Sequence, residues 1–265
     1  MKKILKSLLQ ATLPAPAFAQ LAAVSARRWS QKVERAKGLD KLNLTYIASY
    51  GRTVLQGPFR GMKYGSAADG RQVSARLVGC YEQELAAIVE RCCLTPYNRI
   101  IDVGSAEGYY AVGFAFRIPE AKIVAFDTDP WARRACREIA AANHVSDRVQ
   151  IKGYCSPERL KKNIGEEKCL ILSDCEGYEN VLLDPGLIPE LARCDMIVEI
   201  HDAPPSLDHP LVARFQNSHR IELVQSKPRT GDEAENITGF SPIERRQLLD
   251  ELRHPWQGWA VFLAK

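Results

Sequence analysis

The stretch Arg99-Ile100-Ile101-Asp102-Val103-Gly104-Ser105-Ala106-Glu107-Gly108-Tyr109-Tyr110 carries the decisive pattern. A short apolar run ends in an acid, a turn with two glycines follows, and an aromatic-rich helical pattern begins. The run 99–103 reads as a buried strand and 107–117 as a helix. Gly104 and Gly108 permit a tight turn and close approach of a ligand to the backbone. Upstream, Leu85, Ile88, Val89, Cys92 and Cys93 fall on one helical face. Downstream, apolar runs at 122–126, 148–151, 169–173, 196–200, 220–225 and 258–264 read as six further strands. Asp129-Pro130 and Ser156-Pro157 each supply an N-cap residue followed by proline, so helices start there. Short apolar strands alternating with helices predict an α/β fold, a doubly wound, mostly parallel sheet of seven strands covered on both faces.

Preceding this regular region is a segment of different character. Residues 1–75 hold 13 Lys/Arg against three acids, a net of +10, whereas 76–265 carry a net of −6. Residues 20–40 read as a basic helix, and 43–64, punctuated by Gly51, Gly57, Pro58 and Gly61, as a small β-hairpin. The chain therefore divides into a basic α+β extension, 1–75, and an α/β domain, 76–265. Such a charge asymmetry suits either a solvated basic face or an arm for an anionic partner or membrane surface. Met1-Lys2-Lys3 with an apolar stretch and Ala17-Phe18-Ala19 imitates a signal peptide. Ile4, Leu5, Leu8 and Leu9 equally form one face of a short amphipathic helix with lysines opposite, able to dock on the body or on a membrane surface. The polar run 227–240 is long for a connection and is expected to form a lid.

Composition excludes several classes. With 46% hydrophobic and 26% charged residues the chain is neither disordered nor low-complexity, and it shows no fixed-period repeat. No run of about 18 apolar residues exists to form a transmembrane helix. The eight cysteines show no C-x-x-C or other metal spacing, and several sit in apolar runs, which fits a reducing, cytoplasmic compartment.

Ligands of open α/β sheets bind beyond the carboxyl ends of the strands. The turn after Asp102 is G-x-x-x-G rather than the dinucleotide G-x-G-x-x-G, and the acid would repel a pyrophosphate. A ligand bearing positive charge fits better, and S-adenosylmethionine (AdoMet) has an ammonium, a sulfonium and no phosphate. At the next strand end, Asp127-Thr128-Asp129 offers an acid able to accept from both hydroxyls of a ribose. Asp102 and Asp127 could instead cap the helices that follow them.

These residues resemble a known family. Ile100–Ala111 is similar to the first motif of class I AdoMet-dependent methyltransferases. Ser173-Asp174-Cys175-Glu176-Gly177-Tyr178-Glu179 with Val181-Leu182 resembles the D-x-E-G-x-E…L segment of the FkbM-like branch, and Ile197–His201 resembles its fifth strand. The resemblance covers about 80–265, and implies a seven-stranded sheet whose last strand is antiparallel. One departure is Ala106-Glu107, where the family usually has Ala-Asn. The resemblance implies AdoMet as cofactor, with Asp102 orienting the methionine amino group. Gly104, Ser105, Gly108 and Tyr109 would form the turn that wraps it. Asp127 and Thr128 would lie at the ribose, Tyr154 and Cys155 beside adenine, and Glu82 at the methionine end.

For the reaction, Asp174 is expected at the junction of cofactor and acceptor, with Glu176 nearby and His201 as general base, being tunable near neutral pH. Glu199 and His201 alternate onto one face of the fifth strand. Asp174, His201 and Asp202 could alternatively hold a divalent ion that activates the acceptor. Family analogy implies O-methylation of a small molecule or glycan. Two other readings stand beside it: methylation of nucleic acid or protein docked on the basic segment, and a non-catalytic AdoMet-binding or membrane-surface protein. The fourth strand lacks the [ND]-P-P-[YF] signature that amino-methylating nucleic-acid enzymes often carry. A nicotinamide oxidoreductase lacks its glycine fingerprint here.

Overall fold

The computed structural model describes residues 13–66, 73–253 and 256–265. The amphipathic stretch expected over Ile4–Leu9 and most of the loop expected over 65–70 lie outside these residues. In chain order come α1 (Ala15–Ala36), α2 (Leu39–Tyr50), α3 (Val73–Val78), α4 (Ala86–Cys93), β1 (Arg99–Val103), α5 (Tyr109–Arg117), β2 (Lys122–Phe126) and α6 (Pro130–Ala142). They are followed by β3 (Val149–Lys152), α7 (Pro157–Ile164), β4 (Cys169–Ser173), α8 (Glu179–Leu182), β5 (Asp195–Ile200), α9 (Pro210–Ala213), β6 (His219–Gln225), α10 (Pro242–Leu248) and β7 (Gly258–Ala264).

The strands form one seven-stranded sheet in the order β3-β2-β1-β4-β5-β7-β6. β7 runs antiparallel to both its neighbours, and the other pairings are parallel. This is the sheet that the resemblance implies. Side chains alternate along each strand, so every inner strand feeds two cores. Ile100, Ile123, Leu170, Leu172 and Ile197 enter one core, with α4, α5 and α6. Ile101, Val124, Ile171, Met196 and Val198 enter the other, with α7 and α9. The edge strands β3 and β6 are buried only in part, which is why their apolar runs are weaker. Both expected caps form: Asp129 accepts from Trp131 N at 2.9 Å, and Ser156 from Arg159 N at 3.3 Å.

The amino-terminal region differs from the sequence expectation. Most of the predicted hairpin's first strand is helix, α2, and a single antiparallel bridge, Thr53 to Lys63, remains of the pairing. Tyr46 explains the preference: on a helix it is fully buried, and it stacks on Tyr50 at 5.2 Å. The expected boundary at 75/76 falls inside α3, and Tyr46, Val54, Phe59, Met62 and Tyr64 belong to the same core as α5. Phe59 packs edge-on against Tyr109 (5.1 Å) and Phe114 (5.5 Å). Its ring fills the space a side chain at Gly113 would need, since a Cβ there would lie 2.6 Å from it. The run 227–240 is packed down rather than free: Ala234, Ile237 and Phe240 are buried. Arg229 binds Glu84 at 2.7 Å and Glu251 at 2.6 Å.

Phe59→Ala should therefore destabilise the whole α/β fold by about 3–5 kcal/mol. Urea denaturation monitored over the full chain would show one displaced transition. A separate early transition with the main one unmoved would mean that this segment folds apart from the sheet.

Candidate active site

The alternation that builds the two cores also aims the acids. Asp102 follows Ile100 on the face covered by α5, and Asp174 continues the series Leu170, Leu172. β1 and β4 are neighbours, so both acids emerge together. Their turns touch: a Cβ on Gly104, whose φ is +85°, would lie 1.6 Å from the Asp174 carbonyl oxygen. At Gly108, whose φ is +92°, a Cβ would lie 2.6 Å from the Cys136 sulfur. Only glycine fits at either position.

Asp102 Oδ2 accepts from Ala111 N at 3.0 Å, so it does tie down the next helix. Burial drives its carboxyl up to about 8; the Ala111 amide opposes this, while Asp174, Asp127 and Glu82 push the same way. Ser105 Oγ is buried and has no hydrogen-bond partner. A buried hydroxyl left in that state is unfavourable unless a ligand completes it. Asp127 accepts from Ala106 N (2.8 Å) and Asp129 N (2.7 Å), and burial raises it to about 7 despite those amides. A carboxylate has about four lone-pair sites, so acceptor capacity remains on Asp127. Thr128 Oγ1 donates to Ala19 O of α1 at 3.4 Å, so the amino-terminal helix engages the residue expected at the ribose. Tyr154 lies at the rim, its hydroxyl donating to Tyr178 at 2.7 Å. The Cys155 side chain instead joins the second core, and burial pushes its thiol up to about 12.

Glu82 is buried beside this edge. It accepts from Tyr110 at 2.5 Å and pairs with Arg253, which also binds Glu199 and, at 2.9 Å, Glu251. Arg253 sits over the Trp259 ring at 4.9 Å. Burial raises the Glu82 and Glu199 carboxyls even so, and Asp174 adds to the effect. Nothing in the sequence pointed to Arg253, because it follows α10 in an irregular segment without a motif.

The catalytic expectations need two corrections. Glu176 is exposed, with φ +58°, and does not join the cluster. Glu179, three residues on, is the buried acid: it accepts from Cys175 N at 2.6 Å and lies 3.5 Å from His201 Nε2. The same Nε2 is 3.1 Å from Asp174 Oδ1, without the alignment of a hydrogen bond. Burial works against the imidazolium, but Asp174 and Glu179 outweigh it and push His201 up to about 11. Asp174 is held down to about 2, because His201 and Arg253 overcome the effect of burial. His201 is thus a cation at rest, not a base poised near neutrality. Asp202, the third ligand of the alternative divalent-ion reading, turns to His209 at 2.9 Å. Ligand atoms of Asp174, Glu179 and His201 do lie within 4.8 Å of one another, as do those of Glu82, Asp174 and Glu199. Either a proton on His201 or a divalent cation would place positive charge between the acids of the first set.

A cleft of about 400 Å³ lies elsewhere, lined by Pro157, Glu158, Lys161, Lys162 and Leu187, and contains none of these groups.

No protein-family model matches the chain. A 95-residue stretch is 32% identical to part of the tRNA1(Val) (adenine(37)-N6)-methyltransferase of Porphyromonas gingivalis, covering 35% of this chain and 37% of that protein. The match thus spans little more than a third of that relative's length. Among solved structures, the chain is similar to the O-methyltransferase TomG of Streptomyces achromogenes in complex with SAM. That likeness has a TM-score of 0.47 and 13% identity, over 77% of this chain and 92% of the other. It is also similar to a SAM-dependent methyltransferase of Geobacter sulfurreducens in complex with S-adenosyl-L-homocysteine, with a TM-score of 0.39 and 15% identity, over 69% and 91% of the two chains. At such distances these likenesses carry no argument about chemistry, and the strand order itself defines the fold.

Because folded Asp102 keeps its proton to about pH 8, the native state binds more protons than the unfolded chain from roughly pH 4 to 8, and stability falls across that window as pH rises. Asp102→Asn keeps the acceptor for Ala111 and removes the charge. It should raise stability by several kcal/mol near pH 9, about 1.4 kcal/mol for each pH unit of that window, and leave it almost unchanged near pH 4. Equal effects at both pH values in thermal unfolding would contradict a buried, neutral Asp102.

Proposed function

We propose that this chain is an AdoMet-dependent methyltransferase of class I, akin to the FkbM-like branch, that methylates a hydroxyl on a small molecule or glycan. The observation that carries this reading is the placement of three acids, Asp102, Asp127 and Asp174, at the carboxyl ends of three adjacent strands, β1, β2 and β4. A cationic nucleoside brought to this edge would draw Asp102 and Asp127 back towards their ionised forms, whereas a pyrophosphate would raise them further, so the edge favours the cationic ligand. The unsatisfied Ser105 hydroxyl in the glycine turn adds support. Asp102 and Ser105 would hold the methionine end, with Asp127 on the ribose diol and Tyr154 at the rim near adenine. When bound, AdoMet supplies a methyl group activated by its sulfonium.

The remaining work falls to the chain's own groups. The turns carrying Gly104 and Asp174 touch, so an acceptor seated against Asp174 would lie beside a cofactor held by Asp102 and Ser105, the proximity that in-line displacement needs. His201 stands beside it. As an imidazolium it cannot take a proton. Positive charge brought against Asp174 shares that carboxylate's attraction, so His201 releases its proton closer to neutrality and can receive one from the acceptor hydroxyl. The 32% identical stretch of the tRNA adenine-N6 methyltransferase favours a second reading, methylation of a nucleic-acid base, with the basic amino-terminal region as docking surface. The sequence after β4, Asp174-Cys175-Glu176-Gly177, speaks against it, since the amino-methylating signature is missing there.

Incubation with methyl-labelled AdoMet and fractionated cell extract distinguishes the readings. Label in a small-molecule or glycan fraction that survives ribonuclease is the expected result, and label released by ribonuclease would establish the second reading instead. Calorimetric binding of NAD(H) without binding of AdoMet would end both. Once an acceptor is identified, His201→Ala should lower kcat by about 10²–10⁴-fold with little change in KM for AdoMet. An unchanged pH–rate profile would remove His201 from the proton transfer.

A further inference from the structure

The inner side of α1 is engaged with the body. Ser30 and Glu34 are buried, and Arg27 binds Asp129 at 2.6 Å while lying 5.3 Å from the Trp131 ring centre. These contacts fix the helix and its rotation. Its outer side presents two adjoining rows. Arg28, Lys32 and Arg35, three or four residues apart, form an exposed basic row. Ala22, Trp29 and Ala36, seven residues apart, form an exposed apolar row next to it. Trp29 is 68% exposed and Leu21 54%, high values for large apolar side chains on a helix already docked. On α2, exposed Lys41 and Leu44 repeat the combination.

We propose that the outer face of α1 docks the protein on an anionic lipid bilayer, with Trp29 and Leu21 entering the headgroup region and Arg28, Lys32 and Arg35 held over acidic headgroups. Charge complementarity selects the anionic partner. The indole beside a row of long cationic side chains selects a lipid interface, where tryptophan favours the boundary and Arg and Lys reach outward to the headgroups. The sequence before α1, Met1–Gln10, also combines lysines with apolar residues, although it lies outside the described residues and is no part of the proposed face. No described helix is long and apolar enough to cross a membrane, so the contact is one of surface adsorption. A nucleic acid would also be drawn to the basic row, and an unpaired base can stack on Trp29, but it offers Leu21, Ala22 and Ala36 no apolar surroundings, whereas a bilayer interface receives all of them.

The full-length chain is sedimented with phosphatidylglycerol–phosphatidylcholine vesicles, with pure phosphatidylcholine vesicles, and with RNA as competitor. Partition onto the anionic vesicles alone, weakened by salt, is expected. Each basic residue near an anionic surface is worth a factor of roughly five, so the triple variant Arg28→Gln, Lys32→Gln, Arg35→Gln should partition about a hundredfold less. Trp29→Ala should weaken binding at constant charge, which separates insertion from simple attraction. All four substitutions sit on the exposed face, and an unchanged circular dichroism spectrum would verify the fold. Wild-type partition by the triple variant would overturn the proposal, because residues 1–10 would then account for all binding. Binding to RNA without binding to anionic vesicles would overturn it too, as would insensitivity to Trp29→Ala.

Discussion

Crowding of carboxylates at one edge of the sheet is the constraint that organises this molecule. Glu82, Asp102, Asp174 and Glu199 approach one another closely enough that each raises or feels the charge of the rest, and Asp127 adds to the field at Asp102. Left ionised and unpaired in a buried place, they would cost several kcal/mol apiece. The fold answers with two internal cations and with protons. Arg253 clamps Glu82, Glu199 and Glu251, His201 stands between Asp174 and Glu179, and Asp102 stays protonated to about pH 8. An edge arranged to bind phosphate would present open helix amides and spare cations instead. The electrostatic character of the site is therefore set before any ligand arrives.

Backbone geometry explains why the acids must be so close. β1 and β4 pair in parallel, with Val103 opposite Ser173, so Gly104 and Asp174 leave the sheet side by side. The missing side chain at Gly104 lets the two turns touch. Any larger residue would push Asp174 away from the pocket, and the positive φ would add strain. Proximity of the two turns is thus a property of strand register and one glycine rather than of loop flexibility.

The seven strands were legible because each interior strand is buried on both faces and writes an unbroken apolar run, with polar punctuation between. The same logic failed over residues 43–50. Tyr46, Ile47 and Tyr50 suit a strand by propensity, but their burial against Phe240 and the core requires helical spacing, and tertiary packing decided. At the site, Asp102, Gly104, Ser105, Asp127 and Asp174 were readable from their place at strand ends. Glu179 belongs to the same motif, yet its burial depends on the left-handed turn at Glu176-Gly177, which spacing does not reveal. His201 stands at the strand end its sequence position implies, but its protonation depends on two acids whose closeness only folding creates. Arg253 reaches the site from far along the chain and leaves no local trace.

Position 107 shows how the amino-terminal region enters this balance. Glu107 stands where related turns usually carry Asn, yet it is buried and pairs with Arg76 of α3 at 3.0 Å. Arg76 in turn lies 4.0 Å over the ring of Tyr81, whose other neighbours include Arg253 at 5.7 Å and the Glu82 that follows it in sequence. The glycine turn therefore leans on an ion pair supplied by the segment that precedes the sheet. Asn could not neutralise a buried guanidinium, so a Glu at 107 and an Arg at 76 make sense only together. The departure from the family pattern changes what braces the turn, while Asp102 and Ser105 stand where the pattern has them. The shared core of Tyr46, Phe59 and Met62 with the sheet holds the two partners of that pair in place, which a buried charge pair needs if it is to be favourable.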